Sequence, residues 1–143
     1  MQTSLILLKT DCVTKKICGE VIKRFEDQGF QIRGAKMLQM SDELLKEHYA
    51  HIADLPFFPE VVIFMQETPV IALALAGDNA VERVRDLLGP TDSTQADPGT
   101  IRGDYGFKDG DSKMRNVCHA SDSPENAEIE LNRFFKPEEL FDY

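Results

Sequence analysis

A histidine stands close to the predicted start of the last helix of the chain. His119 opens the stretch HASDSPENAE, in which Ser123 is a typical helix N-cap and Pro124 takes the favoured first helical position. The start of a helix offers free backbone N–H groups and the positive end of a dipole, so it favours a nearby anion. Because a neutral imidazole is a nucleophile near pH 7, the pattern indicates a histidine that accepts a phosphoryl group.

Phosphoryl transfer also requires cations around the charge that develops on the phosphate. Lys9 at the end of the first predicted strand, Arg85, Arg102 and Arg115 could supply these cations. Their spacing alone does not show that they converge. A hydrogen-bonded structural histidine at the end of a strand is the alternative for His119, and from the pattern alone it is the more frequent case.

The remaining histidines and the cysteines are weaker candidates. His48 and His51 are predicted on a polar helix face, where most such side chains are solvated. A thiolate or metal pair formed by Cys118 and His119 is disfavoured, because neighbours along a strand point to opposite faces. The cysteines lack CxxC spacing and are predicted to be buried free thiols; they are Cys12, Cys18 and Cys118.

Composition and charge restrict the classes of function. The chain has 143 residues, of which 42% are hydrophobic, and residues 1–143 are predicted to form a single domain. A net charge of −9 opposes general binding to nucleic acid or acidic membranes, so any anion site must be local. No run reaches the roughly 18 apolar residues of a membrane helix, and the chain start lacks a basic signal sequence. A soluble, cytoplasmic protein is therefore expected.

The apolar patterns predict an α/β protein in which strands and helices alternate. Strands are predicted over 4–9, 30–38, 70–76 and 115–119, and helices between 17 and 29, over 41–49, over 79–88 and from 124 onward. Residues 61–65 are ambiguous, because their β-branched content favours a strand. The segment 91–105 is turn-rich, without an apolar period, and is predicted to be a functional or disordered loop.

Two stretches carry a family resemblance. GTIRGDY at 99–105, followed by NVCHASDSPENAEIE at 116–130, resembles nucleoside diphosphate kinase, whose signature is a histidine, then Gly or Ala, then Ser-Asp-Ser. The resemblance covers essentially the whole chain, and its motifs appear in the family's order. The further matches are LLKTDCV at 7–13, GEVIKRFEDQGF at 19–30, LLKEHYA at 44–50, PFF at 56–58 and FFKPEEL at 134–140.

The resemblance implies both a fold and a reaction. The fold is a ferredoxin-like βαββαβ core with an antiparallel four-stranded sheet and additional helices, and residues 58–65 become helical. The reaction is ping-pong: the γ-phosphate of a nucleoside triphosphate passes to the histidine and then to a nucleoside diphosphate. It needs Mg²⁺ and tolerates many bases. A homo-oligomer, either tetramer or hexamer, is also implied.

The resemblance assigns roles by position. His119 matches the phosphorylated histidine, Glu130 the carboxylate that orients it, and Ser121 a support for that carboxylate. Phe57 matches the aromatic on which the base stacks, and Asp122 is expected to hold the metal through water. The contacts to phosphate and sugar are matched by Lys9, Tyr49, Arg85, Thr91, Arg102 and Asn116, of which Lys9 and Tyr49 are also counted as catalytic.

The chain departs from the family pattern at several positions. Thr10 stands where proline is usual and Cys12 where a small residue is usual, which predicts a less rigid turn after Lys9. Ser93 replaces a proline in the long loop, which bears on oligomer stability, and four extra residues fall within 107–114. These departures motivate an alternative function, a catalytically impaired nucleotide-binding scaffold or regulator of the same fold.

Overall fold

The computed structural model of the protein describes residues 1–110 and 112–143. The strands are β1 (Gln2–Leu8), β2 (Gln31–Leu38), β3 (Val70–Gly77) and β4 (Cys118–Ala120). The helices are α1 (Thr10–Thr14), α2 (Cys18–Asp27), α3 (Asp42–His48), α4 (Phe58–Gln66), α5 (Ala80–Leu88), α6 (Ile101–Tyr105) and α7 (Pro124–Phe134). Short 3-10 turns cover Ser93–Gln95 and Pro137–Glu139. Across the described part of the chain, no helix is long and apolar enough to span a bilayer.

The four strands form one sheet in the order β2-β3-β1-β4, with every neighbouring pair antiparallel. Side chains of β1 alternate between two apolar layers, because successive strand residues point to opposite faces. Ile6 and Leu8 pack with Phe25 on one face, and Leu5 and Leu7 pack on the other. The antiparallel four-stranded sheet with added helices confirms the predicted fold class.

Helix α4 confirms the expectation, drawn from the family resemblance, that residues 58–65 are helical, although the local sequence favours a strand. Its β-branched residues favour a strand, but Pro59 lies in its first turn and Phe64 and Met65 are buried against the Leu5 and Leu7 face of the sheet. Tertiary packing therefore decides the conformation of this segment. Because Thr10 donates from its hydroxyl to the carbonyl of Phe64 at 2.9 Å, the turn after Lys9 is tied to α4 by a hydrogen bond.

The prediction of a loop over 91–105 is wrong at the C-terminal end of this segment, where Ile101–Tyr105 form helix α6. The hydroxyl of Thr100 accepts a hydrogen bond from the N–H of Gly103 at 3.0 Å and caps this helix. A Cβ at Gly103 would overlap the carbonyl oxygen of Asp97, so the Arg-Gly-Asp triplet requires glycine for a close approach. The last strand is also shorter than predicted, because residues 115–117 form a turn rather than extending β4.

Candidate active site

A strained turn leads into the candidate nucleophile. Val117 has φ of 79°, a left-handed conformation that β-branched residues rarely adopt. Both its backbone groups are held: its N–H donates to Oδ2 of Asp11 at 2.9 Å, and its carbonyl accepts from the N–H of Lys9 at 3.0 Å. The end of β1 therefore fixes the turn from which His119 emerges.

His119 lies in β4 opposite Leu7 of β1 and contacts helix α7 through its ring. Its Nε2 lies 3.1 Å from Oε2 of Glu130, and Oε1 of Glu130 accepts from the hydroxyl of Ser121 at 2.7 Å. Ser121 is fully buried and accepts in turn from the N–H of Leu5 at 3.1 Å. Burial raises the pKa of Glu130, but hydrogen bonds from His119 and Ser121 outweigh burial and leave the pKa below its usual value.

His48 does not lie on a solvated face, so its sequence prediction is wrong. The side chain is 7% exposed, and its ring centroid lies 4.6 Å from that of His119 in an edge-to-face arrangement. Nη1 of Arg133 lies 3.0 Å from Nδ1 of His48. Burial, with smaller contributions that include His119 and Arg133, lowers the pKa of His48 to about 3. A neutral imidazole therefore packs beside the candidate nucleophile.

Lys9 is a buried cation of the site. Its Nζ donates to the side-chain carbonyl of Asn116 and to the backbone carbonyl of Met114. Burial lowers its pKa to about 8, although Asp11 acts in the opposite direction. The side-chain amide of Asn116 also donates to the carbonyl of Thr91 at 2.9 Å, which joins the loop after α5 to Lys9.

Arg102 holds three backbone segments together. Its guanidinium donates to the carbonyls of Asn116 at 3.1 Å, Gly89 at 3.0 Å and Cys118 at 2.7 Å, and the residue is 9% exposed. A guanidinium has five N–H groups, so two remain for a ligand. Arg102 thus ties the loop after α5 to the strand that carries His119.

Most of the predicted site residues line a single cavity of about 1060 Å³. These are Lys9, Tyr49, Arg85, Thr91, Arg102, Asn116, His119, Asp122 and Glu130. Ser121 lies behind Glu130. Phe57 precedes α4 with 47% of its surface exposed and is not part of the cavity wall. Arg115 is not part of the cavity wall either; its guanidinium lies 4.8 Å from the ring centroid of Phe64.

The cysteine prediction is confirmed for two of the three thiols. Cys12 and Cys118 are buried, whereas Cys18 is half-buried, and all three are free. Cys118 lines the cavity, but burial raises its pKa to about 12, which disfavours the thiolate that a nucleophile would require.

Sequence reasoning missed several residues of the cavity wall, among them His48, Arg133 and Lys113. A signal existed for His48, because it lies three residues after buried Leu45 and so on the same helical face. Arg133 lies three residues after Glu130 in α7, so the helical period places both side chains on the same face of α7, which borders the site. Lys113 belongs to the segment 107–114, which has no periodic pattern.

Comparisons with known proteins agree with the site. The nucleoside diphosphate kinase family model matches residues 2–140. A nucleoside diphosphate kinase of Parabacteroides distasonis is 47% identical over 143 residues, which cover 100% of this chain and 91% of that protein. Nucleoside diphosphate kinase B of Bos taurus is 46% identical over 142 residues, covering 99% and 91% of the two chains.

Solved structures give the same result. The nucleoside diphosphate kinase of Halobacterium salinarum in complex with CDP has a TM-score of 0.93 at 37% identity, covering 99% of this chain and 92% of that one. The Aquifex aeolicus enzyme has a TM-score of 0.90 at 38% identity, covering 98% and 99%. This chain therefore belongs to the nucleoside diphosphate kinase family, whose members transfer the γ-phosphate of a nucleoside triphosphate to a nucleoside diphosphate.

Proposed function

We propose that His119 carries the phosphoryl group in this nucleoside diphosphate kinase. The observation that carries the proposal is the contact between Nε2 of His119 and Oε2 of Glu130 at 3.1 Å, at the wall of a cavity that also contains Lys9, Arg85 and Arg102. With Nε2 donating its proton to the carboxylate, Nδ1 keeps its lone pair. Nδ1 is therefore the nucleophile.

The reaction proceeds in two steps, phosphorylation of His119 and transfer of its phosphoryl group to a second diphosphate. Nδ1 of His119 attacks the γ-phosphorus, an N–P bond forms, and the bond to the bridging oxygen breaks as the nucleoside diphosphate leaves. The terminal oxygen of a second diphosphate then attacks the same phosphorus, and the N–P bond breaks. The proton on Nε2 stays between His119 and Glu130, whose negative charge stabilises the positive charge on the ring. The product of the second step is a nucleoside triphosphate.

Three cations provide different contacts to the phosphates. Lys9 has one N–H left after its two protein acceptors, and Arg102 has two left after its three. Arg85 is exposed in the cavity wall and makes no hydrogen bond through its side chain to any residue in the described ranges. We assign to Arg85 the terminal phosphates, and to Thr91, Asn116 and Tyr49 the sugar and the inner phosphates.

Enzymes of this family use a divalent cation, and we propose Mg²⁺. Asp122 is an exposed carboxylate at the cavity wall; its Oδ1 accepts from the side chain of Asn126 at 2.7 Å, and its Oδ2 accepts no hydrogen bond from residues 1–110 or 112–143. Its other oxygen suits a hard cation that keeps most of its waters. When bound, the cation neutralises phosphate charge. The cluster of His48, His119 and Glu130, with ligand atoms within 4.8 Å of one another, fits a nitrogen-binding metal better than Mg²⁺.

The remaining proposals concern the base, the assembly and the compartment. Phe57 is assigned to stack on the base, and stacking tolerates many bases because each has a π-face. A homo-oligomer, tetramer or hexamer, is supported by the edge strand β2, on which Met37 is 57% exposed; near Arg33 this edge already accepts a hydrogen bond from the N–H of Phe141 at 2.9 Å. The net charge of −9 supports an enzyme that does not bind nucleic acid, and we propose that it acts in the cytoplasm.

Labelling with γ-labelled ATP tests the assignment of His119. The wild-type protein is expected to acquire acid-labile, alkali-stable phosphate, and His119→Ala is expected to acquire none. His51→Ala, which removes an exposed histidine from the same cavity, serves as the matched control and should still be labelled. Full transfer from ATP to a second diphosphate in His119→Ala would refute the assignment. Binding of nucleotide without any exchange in the wild type would instead support the scaffold alternative.

A further inference from the structure

The described part of the segment 107–114, residues 107–110 and 112–114, is hydrogen-bonded to the loop that follows α5. The N–H of Ser93 donates to the carbonyl of Ser112 at 3.2 Å, and the hydroxyl of Ser112 donates to Oδ1 of Asp92 at 2.6 Å. Nζ of Lys108 donates to the carbonyl of Ser93 at 2.8 Å. A proline at position 93 would have no N–H for the first of these bonds. The departure at Ser93 and the extra residues therefore belong to one structural change.

This attachment places Lys113 in the wall of the nucleotide cavity. The carbonyl of Lys113 accepts from the side-chain amide of Asn116 at 3.1 Å, and Asn116 also accepts from Lys9. The backbone at position 113 is thus connected to the buried cation of the site. Hydrogen bonds therefore fix the backbone position of Lys113, which does not lie in an unattached surface loop.

The ammonium group of Lys113 is available to a ligand. The side chain is exposed and makes no hydrogen bond or ion pair with any residue among 1–110 and 112–143. Asp92 interacts with it electrostatically, but that carboxylate already accepts hydrogen bonds from Ser112 and Thr94. Lys113 therefore differs from Lys9, whose ammonium has two protein acceptors.

The orientation of the substrate determines which part of the nucleotide Lys113 meets. The γ-phosphate must reach His119, next to buried Lys9 and Arg102. The base lies at the opposite end of a nucleotide, beyond the sugar. The carbonyl of Lys113 accepts from Asn116, which is assigned to the sugar and inner phosphates, and the Lys113 side chain is exposed in the same wall, so Lys113 is placed to meet the base. An ammonium donates and cannot accept, so it suits the O6 oxygen of guanine or the O4 oxygen of uracil and thymine. Adenine and cytosine present amino groups at those positions.

We propose that Lys113 is a specificity-determining residue, whose ammonium donates a hydrogen bond to the base and favours keto bases over amino bases. The proposal rests on the function assigned to His119 and adds a preference to a reaction that stacking alone leaves broad. It also gives the segment 107–114 a role at the substrate.

Selectivity between GDP and ADP tests the proposal. The measured quantity is the ratio of kcat/KM for GDP to kcat/KM for ADP, with the same phosphoenzyme as donor. In Lys113→Met the ratio is expected to fall about fivefold, the effect of one net hydrogen bond. Lys113→Arg keeps a donor and is expected to retain most of the ratio. Lys46→Met removes the same charge from an exposed helix position outside the cavity wall and should leave the ratio at the wild-type value.

The outcomes separate this proposal from the assignment of His119. An unchanged ratio in Lys113→Met, or an equal loss for GDP and ADP, would overturn the base contact. A similar fall in Lys46→Met would show a general effect of charge and would overturn it as well. Phosphoenzyme formation is measured in every variant. A wild-type protein that forms no phosphohistidine would overturn the function of His119 itself.

Discussion

Replacing Glu130 by glutamine should slow phosphoryl transfer while leaving nucleotide binding nearly intact. The substitution keeps the shape of the side chain but removes the charge that faces Nε2 of His119 at 3.1 Å. It also weakens the acceptor for the hydroxyl of Ser121, now at 2.7 Å. The ring loses both its orientation and the anion that stabilises its positive charge.

The size of the effect follows from the strength of that contact. A hydrogen bond to a charged group contributes about 1.5–3 kcal/mol, which corresponds to about a 10- to 150-fold decrease in the rate of phosphorylation. Glu130 holds the histidine rather than the substrate, so the dissociation constant for nucleotide should change less than about threefold.

Rapid-quench measurement of phosphoenzyme formation in a single turnover gives the rate, and calorimetric titration with ADP gives the affinity. Glu128→Gln is the matched control, since it makes the same change of charge on the exposed face of the same helix. An unchanged phosphorylation rate in Glu130→Gln would refute the orienting role. A tenfold rise in the dissociation constant would show that Glu130 contacts the substrate instead.

Three further predictions follow from the surroundings of the cavity. His48→Gln should flatten the dependence of stability on acid. The pKa of His48 is lowered from 6.5 to about 3, so the wild type loses about 2 kcal/mol of unfolding free energy between pH 6.5 and 4.5 through this group. Urea unfolding at several pH values measures the difference, and parallel curves for both proteins would contradict it. Because burial lowers the pKa of Lys9 to about 8, kcat/KM for ATP should fall as pH rises above about 8 and this cation is lost, and a pH–rate profile of Lys9→Met should lack that decline. Arg102→Met should lower the free energy of unfolding by about 3 kcal/mol, because three backbone carbonyls lose their donor, and a urea midpoint equal to that of the wild type would count against this role.

Local patterns were sufficient for much of the fold and for the start of the helix that follows His119. Ser123 accepts from the N–H of Asn126 at 3.1 Å and caps α7, as its residue type and the following Pro124 predicted. The sheet agrees with the alternation of strands and helices. These features depend on neighbours in sequence, where capping chemistry and apolar period act directly.

Features that depend on distant contacts were beyond local patterns. The strand preference of α4 is overruled by burial of Phe64 and Met65. His48 is buried because α3 packs towards His119 and Phe134, which lie far away in sequence. The position of Phe57 outside the cavity wall likewise depends on the path of the chain before α4. Its predicted stacking role remains a prediction.

The cations and His119, the proposed nucleophile, are joined through one hydrogen-bonded turn, and this affects how substitutions should combine. Arg102 binds the carbonyls of Asn116 and Cys118, on either side of the strained Val117, and Lys9 holds Val117 through its backbone and Asn116 through its ammonium. The same bonds that position the cations therefore position the strand that carries His119. Each substitution releases part of a shared turn, so the second of two substitutions has less left to disrupt. The loss of transfer rate in a Lys9→Met, Arg102→Met double variant should consequently be smaller than the product of the single losses. If the two cations made independent contacts to the phosphates, the fold-losses of the two single variants would multiply. A multiplicative loss in the double variant would therefore show that the two cations do not act through a shared turn.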